Sequence, residues 1–401
     1  MIYLEVTTSA KSARNTGIQR VTRRIFEQLS IRVPVTPISW NIPGRCFQHL
    51  SSRERSTLEA PFRVRSRPSA HPELRGENVV ADVYRLIFRK TLRLEDALGS
   101  GDVFLIPDIY RDARTRILPE LISKIRGRSV AIFHDAAALQ LPALYARGGP
   151  GFRRYIESLT AYDLVICVSR SSQDDLQRLW EQYGVSPART AVEPWPVAFP
   201  EAERDGGGGA QRDSILCVGS FEPRKNHRVL FRAATELWNR GLLFDLVLIG
   251  RSTSGFGWKI GRDIRRLQNM GHPVEWLRHV EDRVLHQAYR DCRFTVYPSL
   301  SEGFGLPILE SLWHGKPCIC GGNGALGEAA LEGGCLIVDQ TSSDAMAAAM
   351  ERLLTDRTIH ARLSNEARAR RFRSWSDYMD RLLDHLSPGH PDEKSRATRE
   401  N

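Results

Sequence analysis

Two carboxylates on either side of a glycine-rich turn give the strongest chemical signal in the sequence. Glu302 and Glu310 are eight positions apart, and Gly303-Phe304-Gly305 lies between them. The pair follows the apolar run 294–297 and leads into a helical pattern, which predicts a turn from a strand to a helix. Glycines there let the backbone approach a ligand, and the unpaired N–H groups of a first helical turn favour an anion. Because carboxylates repel phosphate and accept hydrogen bonds strongly, we expect the acids to hold sugar hydroxyls. The alternative is two ordinary helix acids.

Two adjacent cations form the second signal. Arg224 and Lys225 follow the apolar run 214–218, just before Asn226. A guanidinium fork beside an ammonium group at the carboxyl end of a strand suits a diphosphate. The alternative is a solvated basic turn before a helix that Asn226 caps. The acidic motif roughly 80 residues later favours the ligand interpretation.

Two further candidates lie in the first half of the chain. His134 ends the apolar run 129–133, where it could orient a sugar hydroxyl, donate to an anion or transfer a proton. A structural histidine is the alternative. Gly17 opens a helical pattern and would let a backbone N–H approach a ligand. With no G-x-G-x-x-G nearby, a plain helix start is the alternative for Gly17.

Short continuous apolar runs alternate with amphipathic stretches in both halves, and these elements must position the candidates. The pattern predicts parallel sheets covered on both faces, and hence two doubly wound α/β domains in tandem. Such sheets bind ligands at the carboxyl ends of their strands, so we expect a site in a cleft between the domains. The runs that predict strands are 1–6, 103–106, 129–133, 164–168, 214–218, 244–249, 294–297, 317–320 and 336–338.

Four consecutive glycines at 206–209 mark the clearest boundary. We predict an N-terminal domain over 1–200, a glycine-rich linker over 201–213 and a C-terminal domain over 214–370. Residues 41–80, rich in Arg, Pro and Ser, are expected to form a long surface excursion. The polar stretch 387–401 is expected to be a disordered tail.

Composition excludes several classes of protein. The 401 residues are 41% hydrophobic and 26% charged, which is typical of globular domains and not of disordered or coiled-coil chains. The 57 Lys and Arg exceed the 47 Asp and Glu by ten, and residues 1–205 hold 30 of these cations against 23 acids. This excess suggests nucleic acid, an acidic membrane surface or a phosphorylated small molecule as partner. The seven cysteines, mostly in apolar runs, indicate reduced thiols and a reducing compartment.

Several patterns are absent from the sequence. It has no Asp-x-Asp, no P-loop, no H-E-x-x-H and no apolar run approaching ~18 residues. We therefore expect no metal, no membrane span and no signal peptide. Metal-dependent sugar transfer commonly relies on paired carboxylates. In a sugar transfer without a metal, the cations and the helix terminus would have to neutralise the leaving diphosphate.

Together these segments resemble family-4 glycosyltransferases of the GT-B fold, with two Rossmann-like domains. The resemblance covers most of the chain. It rests on Thr16–Val21, His134-Asp135, Tyr162–Ser169, Glu222–Asn226, Leu246–Gly250, Tyr297–Leu300, Glu302–Glu310 and Phe372–Trp375. It implies that a closing helix over 371–386 crosses back to the N-terminal domain.

The resemblance also implies roles for the candidates. Arg224 and Lys225 would hold the donor diphosphate, Glu302 the donor sugar and Glu310 the nucleotide ribose, while His134 would sit beside the transferred sugar. The catalytic set is then His134, Glu302, Arg224 and Lys225, and the donor-binding set is Gly17, Gly303, Phe304, Gly305, Leu306 and Glu310. The family retains anomeric configuration.

One departure concerns Ser220, where many relatives carry an arginine. The Glu222–Asn226 variant resembles a branch of mannosyl- and rhamnosyltransferases of surface polysaccharide and lipopolysaccharide assembly. We therefore expect GDP-mannose as donor, a polysaccharide or lipid-linked saccharide as acceptor, and no cofactor. The protein is expected at the inner face of the cytoplasmic membrane. The contact with anionic lipid is expected through the basic first half, which includes Arg53, Arg55, Arg63, Arg65 and Arg67.

Two alternatives stay open. A GT-B nucleotide-sugar epimerase or phosphorylase would share the fold, although no motif for a pyridoxal lysine is visible. A nucleic-acid-binding protein would explain the charge, but the arginines are scattered and no aromatic residues interleave with them.

Overall fold

The computed structural model describes residues 1–12, 16–59, 91–145, 149–197, 213–252, 256–278 and 280–387. The chain divides into two compact units. The first takes its described residues from Met1–Leu139, Arg147–Trp195 and Trp375–Asn401, and the second from Gln140–Ala146 and Pro196–Ser374.

The first unit contains a seven-stranded sheet in the order β3-β2-β1-β4-β5-β6-β7. Its strands are β1 (Ile2–Glu5), β2 (Val35–Asn41), β3 (Cys46–His49), β4 (Val103–Ile106), β5 (Arg128–Phe133), β6 (Leu164–Cys167) and β7 (Thr190–Val192). Neighbouring strands are parallel except β2 and β3. The strand order reverses between β1 and β4, where doubly wound sheets open a crevice for ligands.

Helices connect these strands. They are α1 (Thr7–Lys11), α2 (Gly17–Ser30), α3 (Ser52–Glu59), α4 (Leu94–Ala97), α5 (Arg114–Lys124), α6 (Ala137–Gln140), α7 (Gly149–Ser158), α8 (Arg170–Tyr183) and, at the end of the chain, α16 (Trp375–Leu386). Helix α2 shows why they pack: Val21, Ile25 and Leu29 recur at helical spacing and are buried.

The second unit contains a six-stranded, fully parallel sheet in the order β10-β9-β8-β11-β12-β13. Its strands are β8 (Ser214–Val218), β9 (Asp245–Ile249), β10 (Val274–Leu277), β11 (Phe294–Tyr297), β12 (Cys318–Cys320) and β13 (Cys335–Ile337). Its helices are α9 (His227–Asn239), α10 (Phe256–Asn269), α11 (Asp282–Asp291), α12 (Leu306–Trp313), α13 (Gly324–Ala330), α14 (Ser343–Thr355) and α15 (Arg357–Ala369). Here the order reverses between β8 and β11.

The prediction for residues 41–80 was wrong over its described part. Strand β3 pairs antiparallel with β2, and helix α3 follows it. Phe47 explains the pairing, because its ring is 2% exposed and packs edge-on against Trp40 at 4.9 Å. Alternation over four residues was too short to register as a strand. Residues 60–80 lie outside the described part of the chain.

The predicted boundaries can be followed only in part. Residues 201–212 of the predicted linker and 388–401 of the predicted tail lie outside the described residues. Helix α16 groups with the first unit, where Tyr378, Met379 and Leu382 are buried. The segment Gln140–Ala146 groups with the second unit, which the apolar pattern did not predict.

Candidate active site

Sheet order brings the two strongest signals together in the second unit. Strands β8 and β11 are hydrogen-bonded neighbours and run parallel, so their carboxyl ends lie at one edge of the sheet. Arg224 and Lys225 follow β8, and Glu302 follows β11. The main chains also meet there, since the Leu300 N–H donates to the Arg224 carbonyl at 2.8 Å.

Glu302 binds both cations directly. Arg224 Nη1 donates to its Oε2 at 2.7 Å, and Lys225 Nζ donates to its Oε1 at 2.6 Å. The Ser299 hydroxyl donates to the same Oε1. The three charged side chains are 8–15% exposed. From the sequence we expected the cations to bind a diphosphate and Glu302 to bind sugar hydroxyls. We did not predict that the cations and Glu302 pair with each other.

The charges fix the protonation state of this cluster. Burial by itself would raise the pKa of Glu302, but Arg224 and Lys225 outweigh it and lower that pKa to about 2. Burial lowers the pKa of Lys225, while the Glu302 carboxylate opposes this shift. Glu302 is therefore ionised at neutral pH.

A second carboxylate supports Arg224. The Ser220 hydroxyl donates to Glu222 Oε1 at 2.6 Å, and Arg224 Nε donates to Glu222 Oε2 at 3.3 Å. Burial opposes ionisation of Glu222, yet Arg224 and Lys225 lower its pKa. Ser220, at the position that departs from many relatives, thus orients the carboxylate that holds Arg224. Two cations and two carboxylates leave this cluster close to neutral.

Tyr297 was predicted as part of a resembling segment, but we assigned no role to its side chain. It ends β11, and its hydroxyl oxygen accepts a hydrogen bond from Lys225 Nζ at 2.5 Å. Burial raises the pKa of this tyrosine well above its usual value. The sequence feature that could have indicated this role is the position of Tyr297 at the end of a predicted strand, just before the acidic motif.

The predicted turn from strand to helix is present at Gly305. This glycine has φ +90°, a left-handed conformation that favours glycine, and it precedes Leu306, the first residue of α12. Gly303 is buried, and Phe304 packs against an apolar cluster beneath the turn. The first turn of α12 therefore starts next to Glu302.

Glu310 lies inside α12 and is 3% exposed. Its Oε2 accepts a hydrogen bond from the Tyr289 hydroxyl at 2.9 Å. Tyr289 stacks on His314 with ring centroids 5.2 Å apart. Tyr289 thus positions the second acid of the motif, a role that no local pattern indicated.

His134 lies in the first unit, after β5, and is 3% exposed. Its Nε2 lies 2.6 Å from the Pro107 carbonyl. Since a carbonyl only accepts, we assign the proton to Nε2, which leaves Nδ1 as an acceptor. Nδ1 has no hydrogen-bond partner in the described part of the chain. Burial outweighs the Pro107 hydrogen bond and lowers the pKa of His134 to about 4, so this residue is neutral at pH 7.

Gly17 also lies in the first unit and begins α2. The preceding Thr16 and the third helical residue, Gln19, form a capping box. Residues 13–15, just before it, lie outside the described residues. Within the described ranges, no group of three or more His, Cys, Asp or Glu could hold a metal ion. No helix there is long and apolar enough to cross a membrane.

Comparison with known proteins finds a family that matches part of the second unit. Residues 212–356 match the family Glycosyl transferases group 1. The matched segment lies within the second unit. It contains Arg224, Lys225, Glu302 and Glu310.

Two curated relatives of this chain are named as mannosyltransferases. The chain is 26% identical to the serotype-specific mannosyltransferase WbdA of Escherichia coli, over 91% of this chain and 43% of WbdA. It is 28% identical to the O-antigen chain mannosyltransferase B of Escherichia coli, over 71% of this chain and 73% of that protein. The chain therefore spans less than half the length of WbdA.

Solved structures show the fold of the whole chain. Sucrose-phosphate synthase from Thermosynechococcus elongatus has a TM-score of 0.68 at 18% identity and covers 96% of this chain and 98% of its own. Anabaena HepE in complex with UDP-glucose has a TM-score of 0.66 at 16% identity, with the same coverage. The predicted GT-B fold with two doubly wound domains is confirmed, as is the resemblance to GT-B glycosyltransferases of surface polysaccharide synthesis.

Proposed function

We propose that this protein is a retaining, metal-independent hexosyltransferase in cell-surface glycan synthesis. It would move a hexose from a nucleotide sugar to a polysaccharide or lipid-linked saccharide. The observation that carries this proposal is the bonding of Arg224 and Lys225 to Glu302 where the strand order of the second sheet reverses. Two relatives, named as a serotype-specific mannosyltransferase and an O-antigen chain mannosyltransferase, support the substrate class.

The donor diphosphate would replace Glu302 as partner of the cations. Because Glu222 and Glu302 neutralise the two cations, the cluster has little electrostatic attraction for a diphosphate. Arg224 and Lys225 can therefore attract the diphosphate only once Glu302 has turned away. The released Glu302 carboxylate would then accept hydrogen bonds from sugar hydroxyls. The first turn of α12, with Gly303 to Leu306, would stabilise phosphate charge through its N–H groups.

The transfer itself would proceed on the front face of the donor sugar. The bond from the anomeric carbon to the phosphate oxygen breaks, the bond to the acceptor oxygen forms, and the departing phosphate takes the acceptor proton. His134 would contribute as an acceptor for a hydroxyl, because its Nδ1 carries no proton. Glu310, held by Tyr289, would bind the ribose, and Gly17 would approach the diphosphate.

GDP-mannose is the donor that we propose, since both E. coli relatives are named mannosyltransferases. HepE, which was solved with UDP-glucose, supports a nucleotide sugar more generally. We also propose that the protein works at the inner face of the cytoplasmic membrane. Of the arginines predicted to face lipid, Arg53 and Arg55 lie in α3, whereas Arg63, Arg65 and Arg67 lie outside the described residues.

A donor panel in the presence of EDTA tests the proposal. GDP-, UDP- and dTDP-sugars are incubated with the protein and a saccharide acceptor, and NMR gives the anomeric configuration of the product. We expect transfer with retention from GDP-mannose, no loss in EDTA, and at least a hundredfold loss in Lys225→Ala, on the scale of removing an electrostatic contact to a transition state. Unchanged turnover in Lys225→Ala would show that the site is wrong. Conversion of the donor alone, or a requirement for inorganic phosphate, would favour the epimerase or the phosphorylase.

A further inference from the structure

Helix α10 in the second unit has one side fixed firmly against its neighbours. Ile260, Ile264 and Leu267 are 0–8% exposed. A Cβ at Gly261 would lie 3.2 Å from the Trp276 ring, and one at Gly257 would clash with Ser252. These contacts determine which side of α10 faces solvent.

The exposed side of α10 is a continuous cationic surface. At about 100° per residue, most of its exposed residues fall on a single stripe. What we call the α10 face consists of Trp258, Lys259, Arg262, Arg265 and Arg266, while the exposed Gln268 and Asn269 carry no charge. The only carboxylate of the helix, Asp263, lies at its margin and pairs with Arg228 of α9 at 3.1 Å.

The cations of the α10 face differ in their ion pairing from those on several other helices. Lys124 with Glu120, Arg153 with Glu157 and Arg362 with Glu366 form ion pairs at i and i+4. Within the described residues, no carboxylate pairs with any of the four cations of the α10 face. Their charge is therefore uncompensated, which favours an external polyanion.

Trp258 identifies the kind of polyanion. Its side chain is 63% exposed at the start of the helix, and the Arg262 guanidinium lies 5.5 Å from its ring centroid. Tryptophan prefers the headgroup region of a bilayer, because its ring is amphipathic. A single-stranded nucleic acid would need a series of aromatic rings for stacking, and Trp258 is the only aromatic residue of this face.

We propose that the α10 face binds an anionic phospholipid surface, with Trp258 in the headgroup layer and the four cations beside lipid phosphates. Lys and Arg residues near such a surface each contribute to binding, and a helix with this face lies flat in the interface. The proposal does not depend on the transferase function. It also concerns a different unit from the arginines of α3.

Vesicle sedimentation tests this proposal with two matched variants. Full-length protein is mixed with phosphatidylcholine vesicles with or without phosphatidylglycerol. Arg262→Gln/Arg266→Gln removes two charges from the α10 face, and Arg352→Gln/Arg357→Gln removes two exposed charges from another part of the same unit. Each cation accounts for about a fivefold change in partitioning, so the first variant should bind about 25-fold more weakly and the control within about threefold of wild type.

Further outcomes keep the proposal falsifiable. Binding should require phosphatidylglycerol and weaken in high salt, and Trp258→Gln should weaken it further. Equal vesicle binding by the two double variants would overturn the proposal. So would a loss of vesicle binding that occurs only in Arg53→Gln/Arg55→Gln. In a parallel assay with single-stranded DNA, the proposal would also fail if Arg262→Gln/Arg266→Gln lost DNA binding but kept vesicle binding. Donor-induced thermal shifts should persist in Arg262→Gln/Arg266→Gln, so failure here is distinguishable from failure of the transferase proposal.

Discussion

Glu302 is the residue that joins the charged groups of the candidate site in the second unit. Its two carboxylate oxygens bind Arg224, Lys225 and the Ser299 hydroxyl, and it is ionised well below neutral pH. In this arrangement the residue holds the two cations in place before any donor arrives. The same carboxylate is the group that we propose for the donor sugar, so binding and catalysis would be coupled through one side chain.

Glu302→Gln separates these two tasks. The amide leaves Lys225 without its carboxylate partner and Arg224 with Glu222 alone, and we expect the free energy of unfolding to fall by about 3 kcal/mol. The freed cations should bind GDP at least as tightly as in wild type, while transfer from the nucleotide sugar should fall at least a hundredfold. Urea unfolding, GDP calorimetry and product assays measure the three quantities.

Glu236→Gln, an exposed acid in α9 of the same unit, is the control and should change none of these quantities by much. Weaker GDP binding in Glu302→Gln would contradict the proposed exchange of partners.

At the scale of secondary structure, a buried hydrogen bond joins helices α11 and α12. Tyr289 near the end of α11 donates to Glu310 near the end of α12, and both side chains are buried. Tyr289 also stacks on His314, whose pKa burial lowers to about 3. The uncharged imidazole lets the stack pack without a buried charge. The orientation of Glu310 therefore depends on the packing of two helices.

Tyr289→Phe tests this positioning role. The ring contacts remain, but Glu310 loses a buried donor, which costs about 1–3 kcal/mol. If Glu310 binds the ribose, KM for the donor should rise several-fold with a smaller change in kcat. Steady-state kinetics with varied donor concentration distinguish the two parameters. Tyr183→Phe, which alters a tyrosine that contacts Arg153 through its ring, serves as control; equal effects of the two variants would show that Tyr289 has no special role.

At the scale of the whole molecule, stability depends on a buried polar cluster in the first unit. Glu5 ends β1 and Asp108 follows β4, so both lie where the strand order reverses. Arg114 Nη1 donates to Glu5 at 2.9 Å, while Ser9 and Thr22 donate to Asp108 at 3.2 and 3.3 Å. Burial, and then the charge of Glu5, raise the pKa of Asp108 to about 7.

This shift predicts a pH dependence of folding. Unfolded Asp108 titrates near its usual value of about 3.9, so between that pH and about 7 the unfolded chain ionises first. The stabilisation is complete below the lower value and is lost as the pH rises to about 7, by an amount on the order of 4 kcal/mol. Glu302 has the opposite sign, because its lowered pKa removes stability as the pH falls from about 4.3 towards 2.

Asp108→Asn should remove the loss of stability that we expect as the pH rises towards 7. Urea unfolding at several values between pH 5 and 8 should show that the variant gains stability relative to wild type as the pH rises. Asp174→Asn, which alters an exposed carboxylate of α8, should keep a constant difference from wild type. A constant difference for Asp108→Asn as well would contradict the buried, protonated state.

The sequence by itself determined the local features of this protein. Continuous apolar runs predicted the strands, helical spacing predicted helices such as α2, and turn chemistry located Arg224, Lys225 and Glu302. These follow from sequence because periodicity and turn preferences act over a few residues. Strand β3 was not predicted, because its four residues form a strand only when Phe47 packs on Trp40.

Only the tertiary structure decided which of these groups meet. The order of strands in a sheet is set by packing between distant segments, so nothing local shows that β8 and β11 are neighbours or that Glu302 binds both cations. Tyr297 and Tyr289 acquired roles in the same way. His134 was recognisable as a candidate, but its neutral state depends on burial, and its tautomer depends on the carbonyl of Pro107, which directly follows the neighbouring strand β4.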